Sequence, residues 1–201
     1  MNNLYSDKNK ITLPYRPDIN GLRAIAILAV IGFHLFPSYF SGGFLGVDIF
    51  FVISGYLITN ILFQNLTNNN FSYIDFYIRR IKRIFPALIL VLVFCIGFGW
   101  LLMFPDEFKR LGKHIASSSG FVINLVLLKE DNYFAPESEV KPLLHLWSLG
   151  VEEQFYFIWP LLLAIAWKCK RDIPRLIFLL TAISFCLTYA MFKLDPLFAF
   201  Y

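Results

Sequence analysis

Six stretches of this chain are too apolar, and too nearly the length of a bilayer, to belong to an ordinary soluble domain. They run at roughly 23–40, 43–63, 84–104, 112–128, 151–167 and 173–194. A hydrocarbon core of ~30 Å needs about 20 apolar residues in a helix. Inside it every backbone polar group must be satisfied within the segment, which leaves helices as the solution. The expected fold is therefore all-α: a polytopic transmembrane helix bundle with about six spanning or membrane-embedded helices. Composition agrees, with 58% hydrophobic and only 16% charged residues against ~25% charged in soluble domains. The formal charge of +4 does not point to nucleic acid, because the basic residues lie between apolar blocks, where they act as topology signals and anion sites. The first 20 residues are polar and lack a small-residue cleavage site, so no signal peptide is expected. They read as a cytoplasmic N-terminal segment. Cys95, Cys169 and Cys186 fall within or at the edge of apolar blocks and suggest no disulfide framework.

Orientation follows from Lys and Arg. Lys8, Lys10, Arg16 and Arg23 precede or open the first block, and Arg79, Arg80, Lys82 and Arg83 precede the third, while 37–44 has no basic residue. This places the N-terminus and the 64–83 link in the cytoplasm. The rule then conflicts with itself. If 112–128 spans, the acidic 129–150 link, with Glu130, Asp131, Glu137 and Glu139, is cytoplasmic, and the basic KCKRDIPR link (168–175) is outside. Block 112–128 is the least convincing span, with His114, three serines and Asn124. It either crosses inside a polar bundle or dips in and returns.

Four stretches hold groups that a membrane helix would otherwise avoid. In GLRAIAILAVIGFHLF (21–36), Arg23 and His34 are eleven residues apart. At ~100° per residue that is within ~20° of whole turns, so the two share a face about 16 Å apart along the axis. Ionisable groups at membrane depth are costly and face bundle interiors or water-filled cavities. The pair is either a snorkelling arginine with a hydrogen-bonded histidine, or a polar shaft from the cytoplasm with His34 as a base. In GGFLGVDIFFVISGYLI (42–58), helix packing explains Gly46, Ser54 and Gly55, whereas Asp48 is a candidate supporting partner.

RRIKRIFP (79–86) places Arg79, Arg80 and Arg83 on about one helical face. The cluster is either a topology signal or an anion site, since arginine forks bind phosphate bidentately. In HLWSLGVEEQFYFIWP (145–160), His145 and Glu152 share a helical face with Ser148 near it, and Glu153 is turned away by ~80°. Glu152 is the favoured functional carboxylate.

With these motifs in order, the chain resembles the bacterial integral-membrane acyltransferase family 3, whose O-acyltransferases decorate cell-surface polysaccharides. Arg23-x10-His34, FFVISG (50–55), RRIKR with its Arg80-x-x-Arg83, and WSLGVEEQFY (147–156) carry the resemblance, which runs from about Tyr15 to Tyr201. YRPDINGLRAIAIL and VKPLLHLW look most like the polysaccharide O-acetylases, some of which append an extracytoplasmic SGNH-type domain. The resemblance implies His34, Arg23 and Glu152 as catalytic residues, with Arg79, Arg80 and Arg83 binding acyl-coenzyme A. Asp48, Ser54, His145 and Ser148 would support them. It implies transfer of an acyl group, acetyl by resemblance, to a sugar hydroxyl of a polysaccharide or lipopolysaccharide. The setting would be the bacterial inner membrane, multi-pass, with a cytoplasmic N-terminus. No metal and no nucleic-acid partner are expected. Residues 21–201 would be the N-terminal part of the transmembrane domain, because family members resemble bundles of about ten helices. A truncated, inactive remnant is one alternative. A proton-coupled transporter using His34, Asp48 and Glu152 as a relay is the other, and the lack of an internal repeat counts against it.

Overall fold

The computed structural model describes residues 15–130 and 141–194. Lys8, Lys10, Asp131, Glu137 and Glu139 lie outside the described residues. Seven α-helices and no strand occur among those described: α1 (Pro17–Leu35), α2 (Leu45–Thr67), α3 (Tyr73–Leu102), α4 (Pro105–Ser119), α5 (Ile123–Lys129), α6 (Leu146–Lys168) and α7 (Ile173–Leu194). Five of them, α1, α2, α3, α6 and α7, are long and apolar enough to cross a membrane. The chain is a multi-pass, all-helical membrane protein.

It divides into two compact units between Phe71 and Ser72. The N-terminal unit is the α1–α2 pair. Pro17 occupies the first turn of α1, where its missing N–H costs nothing, so the helix starts inside the expected polar segment 1–20. It ends at Leu35, five residues short of the expected block, because Phe36 precedes Pro37 and is forced out of helical backbone, at φ −139°. Two glycines let the helices touch. A Cβ on Gly43 would collide with the Ala29 carbonyl, and one on Gly46 with the Ala26 carbonyl. Ala26 itself is fully buried. Without a hydrophobic drive between helices in lipid, such backbone approach is what holds the pair.

The C-terminal unit corrects two boundaries. α3 begins at Tyr73, eleven residues before the expected span, because Ser72 caps it by accepting the Asp75 N–H at 3.3 Å. The stretch read as a polar link ending in RRIKR is thus the first three turns of a 30-residue helix, with Pro86 inside it. Block 112–128 is not one helix. α4 ends at Ser119 with Gly120 as its C-cap, Phe121 adopts left-handed backbone at φ 55°, and α5 follows for seven residues.

The path of this broken segment decides the topology of the unit. Pro142, just ahead of α6, shares a small cleft with Phe94, Cys95, Phe98, Gly99, Leu102 and Met103 at the end of α3. Tyr156, well inside α6, lies against Arg80 near the start of α3. So α3 and α6 run antiparallel, and the link before α6 is at the end where α3 finishes. Between leaving α3 and entering α6 the chain makes no net crossing; α4 and α5 dip in and return. A core of Leu88, Leu92, Leu111, Ile123, Leu127 and Leu143 ties the re-entrant pair to α3 and to the approach to α6. The basic 168–175 link therefore emerges at the end where Arg79, Arg80 and Arg83 enter, and the conflict in the charge pattern disappears.

Candidate functional site

A cleft of about 380 Å³ opens between the first half of α3, the α4–α5 turn and the middle of α6. Tyr77, Arg80, Ile81 and Ile84 recur at helical spacing and present one face of α3 to it. Phe121 closes one side, and Glu153, Gln154 and Tyr156 come from α6. Its walls are largely apolar, with a few polar groups at fixed places, the usual make-up of a small-molecule site.

Arg80 is its cation. The guanidinium carbon sits 3.4 Å over the centroid of the buried Tyr156 ring. Stacking of this kind fixes the guanidinium plane and leaves its in-plane N–H donors for an anion. The Tyr156 hydroxyl donates to the Glu152 carboxylate, one turn back on α6. Arg80, Tyr156 and Glu152 form one connected string, so the basic motif and the EEQFY motif meet here. Arg79 and Arg83 are exposed, and neither lines the cleft.

The two adjacent glutamates differ in setting. Glu152 is engaged by Tyr156, while Glu153 lines the cleft beside Arg80, with Oε1 buried and no hydrogen-bond partner among the described residues. Gln154 braces the wall: its Nε2 donates to the Phe121 carbonyl at 2.7 Å and to Asn124 Oδ1 at 2.9 Å. The first of these bonds satisfies a backbone carbonyl that the break at Phe121 would otherwise leave bare. Gly150 allows the same approach, since a Cβ there would lie 3.2 Å from the Phe121 carbonyl. On the opposite side Tyr77 Oη donates to the Phe157 carbonyl at 3.0 Å.

The remaining candidates lie elsewhere. His145 caps the start of α6, and its carbonyl accepts Ser148 Oγ at 3.2 Å. Arg23, His34, Asp48 and Ser54 belong to the N-terminal unit. Arg23 and His34 ride on the uninterrupted α1, Arg23 with a buried Nε that has no hydrogen-bond partner among the described residues. The His34 ring meets Phe33 edge-on at 5.4 Å. Asp48 is exposed in the first turn of α2, and Ser54 is buried. Among the described residues no three His, Cys, Asp or Glu side chains are grouped to hold a metal ion.

Tyr77, Phe121, Gln154 and Tyr156 are the site residues that sequence reasoning passed over. Gln154 had a signal, as an amide in an apolar block; the aromatics had none to separate them from interfacial rings.

Comparison with known proteins decides the family. The model of the acyltransferase 3 family, described as an acyltransferase domain, matches residues 16–201. The chain belongs to that family. Both units lie within the matched domain. A peptidoglycan O-acetyltransferase of Listeria monocytogenes, OatA, is 42% identical over 165 residues, covering 81% of this chain and 26% of its own. The Bacillus subtilis protein provisionally named peptidoglycan O-acetyltransferase YrhL is 39% identical over 175 residues, 86% of this chain and 27% of its own. A Staphylococcus aureus protein, provisionally named an O-acetyltransferase, is 43% identical over 150 residues, 74% of this chain and 25% of its own. The chain spans about a quarter of the length of the curated relatives it matches. No solved structure matches it significantly.

Proposed function

We propose that this chain carries the donor site and catalytic motifs of a membrane O-acetyltransferase. It would take acetyl from acetyl-coenzyme A and pass it to a sugar hydroxyl of a cell-surface polysaccharide. The observation that carries the reading is the Arg80–Tyr156–Glu152 string in an apolar cleft. A held guanidinium suits a donor phosphate, and apolar walls suit the thin arm that bears the thioester. Arg79 and Arg83, exposed beside it, add positive charge for the rest of a polyanionic donor.

In the reaction, the sugar oxygen attacks the thioester carbonyl. His34 takes the hydroxyl proton, the C–S bond breaks, and coenzyme A leaves as the thiol once reprotonated. A histidine suits this because its pKa lies near working pH; the alternative route has His34 carry the acetyl group first. Arg23 would stabilise charge on the carbonyl oxygen, and Asp48 and Ser54 of the same unit would support it and His34. In the C-terminal unit Glu152 would hold Tyr156 against Arg80, with His145 and Ser148 in support. The end of α3 bearing the arginines is assigned to the cytoplasm, with the N-terminus, in the bacterial inner membrane. Both basic links then obey the positive-inside rule. The relatives' names favour peptidoglycan over lipopolysaccharide as the acceptor. Family membership favours transfer over the proton-relay transporter.

The test is acetyl-coenzyme A binding to the purified chain in nanodiscs. Arg80→Lys keeps the charge but loses the fork and most of the stack, and should weaken binding about tenfold. Unchanged affinity would refute a donor site at Arg80.

A further inference from the structure

A second cleft, of about 360 Å³, lies at the other end of the C-terminal unit and has no part in the donor site. Arg80 and Met103 are roughly 35 Å apart along α3, about one membrane thickness. This cleft has an apolar floor of Met103, Leu111 and Pro142, with Arg110, His114 and Lys141 around it. Its acids are already engaged. Glu107 Oε2 caps α4 by accepting the Phe104 N–H at 3.1 Å. Glu130 accepts from Lys113 at 2.9 Å, from His114 Nε2 at 3.0 Å and from Lys141 at 3.2 Å.

That network fixes the floor of the cleft. His114 is 3% exposed and Lys141 12%, so both are held in place by one carboxylate that ties α4, α5 and the approach to α6 together. Arg110 is different: it is exposed at the rim and has no ion-pair or hydrogen-bond partner among the described residues. Among the described residues around the cleft, Arg110, Lys113 and Lys141 stand against Glu107 and Glu130, an excess of about one positive charge. One charge matches a carboxylate better than a doubly charged phosphate. A planar fork above an apolar floor is also the shape that receives a carboxylate attached to a sugar ring.

We infer that this cleft binds an acidic saccharide, with Arg110 gripping its carboxylate, on the membrane face opposite the donor site. Resting on the proposed transfer reaction, it names a subsite for an acidic acceptor arriving from that face.

The experiment titrates the purified chain, in phosphatidylcholine nanodiscs, with cellobiouronic acid and with neutral cellobiose, followed by saturation-transfer NMR. The acid should bind at least about tenfold more tightly, as expected for one charge-assisted pair. Arg110→Gln should erase the preference, and Arg110→Lys should keep part of it. Equal binding of the two sugars, binding of neither, or a preference that survives Arg110→Gln would overturn the assignment. So would loss of the sugar signal when phosphatidylglycerol replaces a fraction of the lipid at constant ionic strength, which would mark a lipid-headgroup site. Acetyl-coenzyme A binding is read in the same samples and should not change in Arg110→Gln. Its absence in the wild type would refute the transfer reaction while leaving the acid preference to stand or fall by itself.

Discussion

Gln154 offers the sharpest test of the re-entrant segment. Its amide donates to a backbone carbonyl freed by the break at Phe121 and to Asn124 Oδ1, with Asn124 2% exposed. Gln154→Leu keeps the volume and removes both donors. In water-based estimates, each buried acceptor left bare costs about 1–3 kcal/mol. Interhelical hydrogen bonds in membranes average nearer 0.6 and reach about 1.7, because the unfolded state in lipid also finds partners. The Asn124 bond belongs to that lower class. The Phe121 carbonyl belongs to the upper one, since left-handed backbone denies it an intrahelical donor. Together they predict a loss of about 1.6–4.7 kcal/mol. Reversible unfolding of the purified chain in mixed micelles would measure it, and a cycle with Asn124→Ala should return a coupling of about 0.6–1.7 kcal/mol. Stability within about 0.3 kcal/mol of wild type would mean that water or lipid headgroups satisfy the turn, and that α6 does not hold it.

Three further outcomes are expected. His34→Ala should cut acetyl transfer by about 10²–10⁴ with normal membrane insertion, measured as label moved from acetyl-coenzyme A to polysaccharide; near-normal transfer would remove His34 from the chemistry. Burial alone would raise the Glu130 carboxyl, but hydrogen bonds from Lys113, His114 and Lys141 outweigh it and hold it at about 2, below the ordinary 4.5. Its contribution is therefore complete above about pH 4.5 and disappears as the pH falls towards about 2. Hydrogen exchange in α4 and α5 should rise across that window, and Glu130→Gln should flatten the response. In the N-terminal unit, Gly46→Val forces a side chain against the Ala26 carbonyl and should cost about 1–3 kcal/mol. Gly42→Val, where a Cβ meets nothing within 4 Å, is the control, and equal effects of the two would deny the close approach.

The helical class and most spans were legible because apolar length is a coarse signal that tertiary context seldom reverses. α7 matches its expected block of 173–194 at both ends. α3 was misjudged at its start because four basic residues look like a link, although Ser72 and Asp75 announce a cap. The polarity of 112–128 marked it as unusual, but the break falls at Phe121, a residue that seldom takes positive φ and gives no warning. Helical spacing gave Glu152 and Glu153 different faces. Which neighbour each face meets depended on packing, since Tyr156 one turn on takes Glu152 and α3 brings Arg80. The Glu130 network was invisible as a group because its four members come from three separated segments.

The turn at Phe121 also sets an order of biogenesis. The five long helices can leave the translocon one at a time, each with its backbone already bonded within itself. α4 and α5 cannot. α4 is amphipathic and carries Lys109, Arg110 and Lys113, and the Phe121 carbonyl waits for Gln154, thirty-three residues further along the chain. Until α6 has been synthesised and inserted, the Phe121 carbonyl lacks its Gln154 donor, and the segment would wait at the membrane surface. A ribosome stalled before Gln154 emerges would leave it there, open to protease, with the cleft at Arg80 missing a wall.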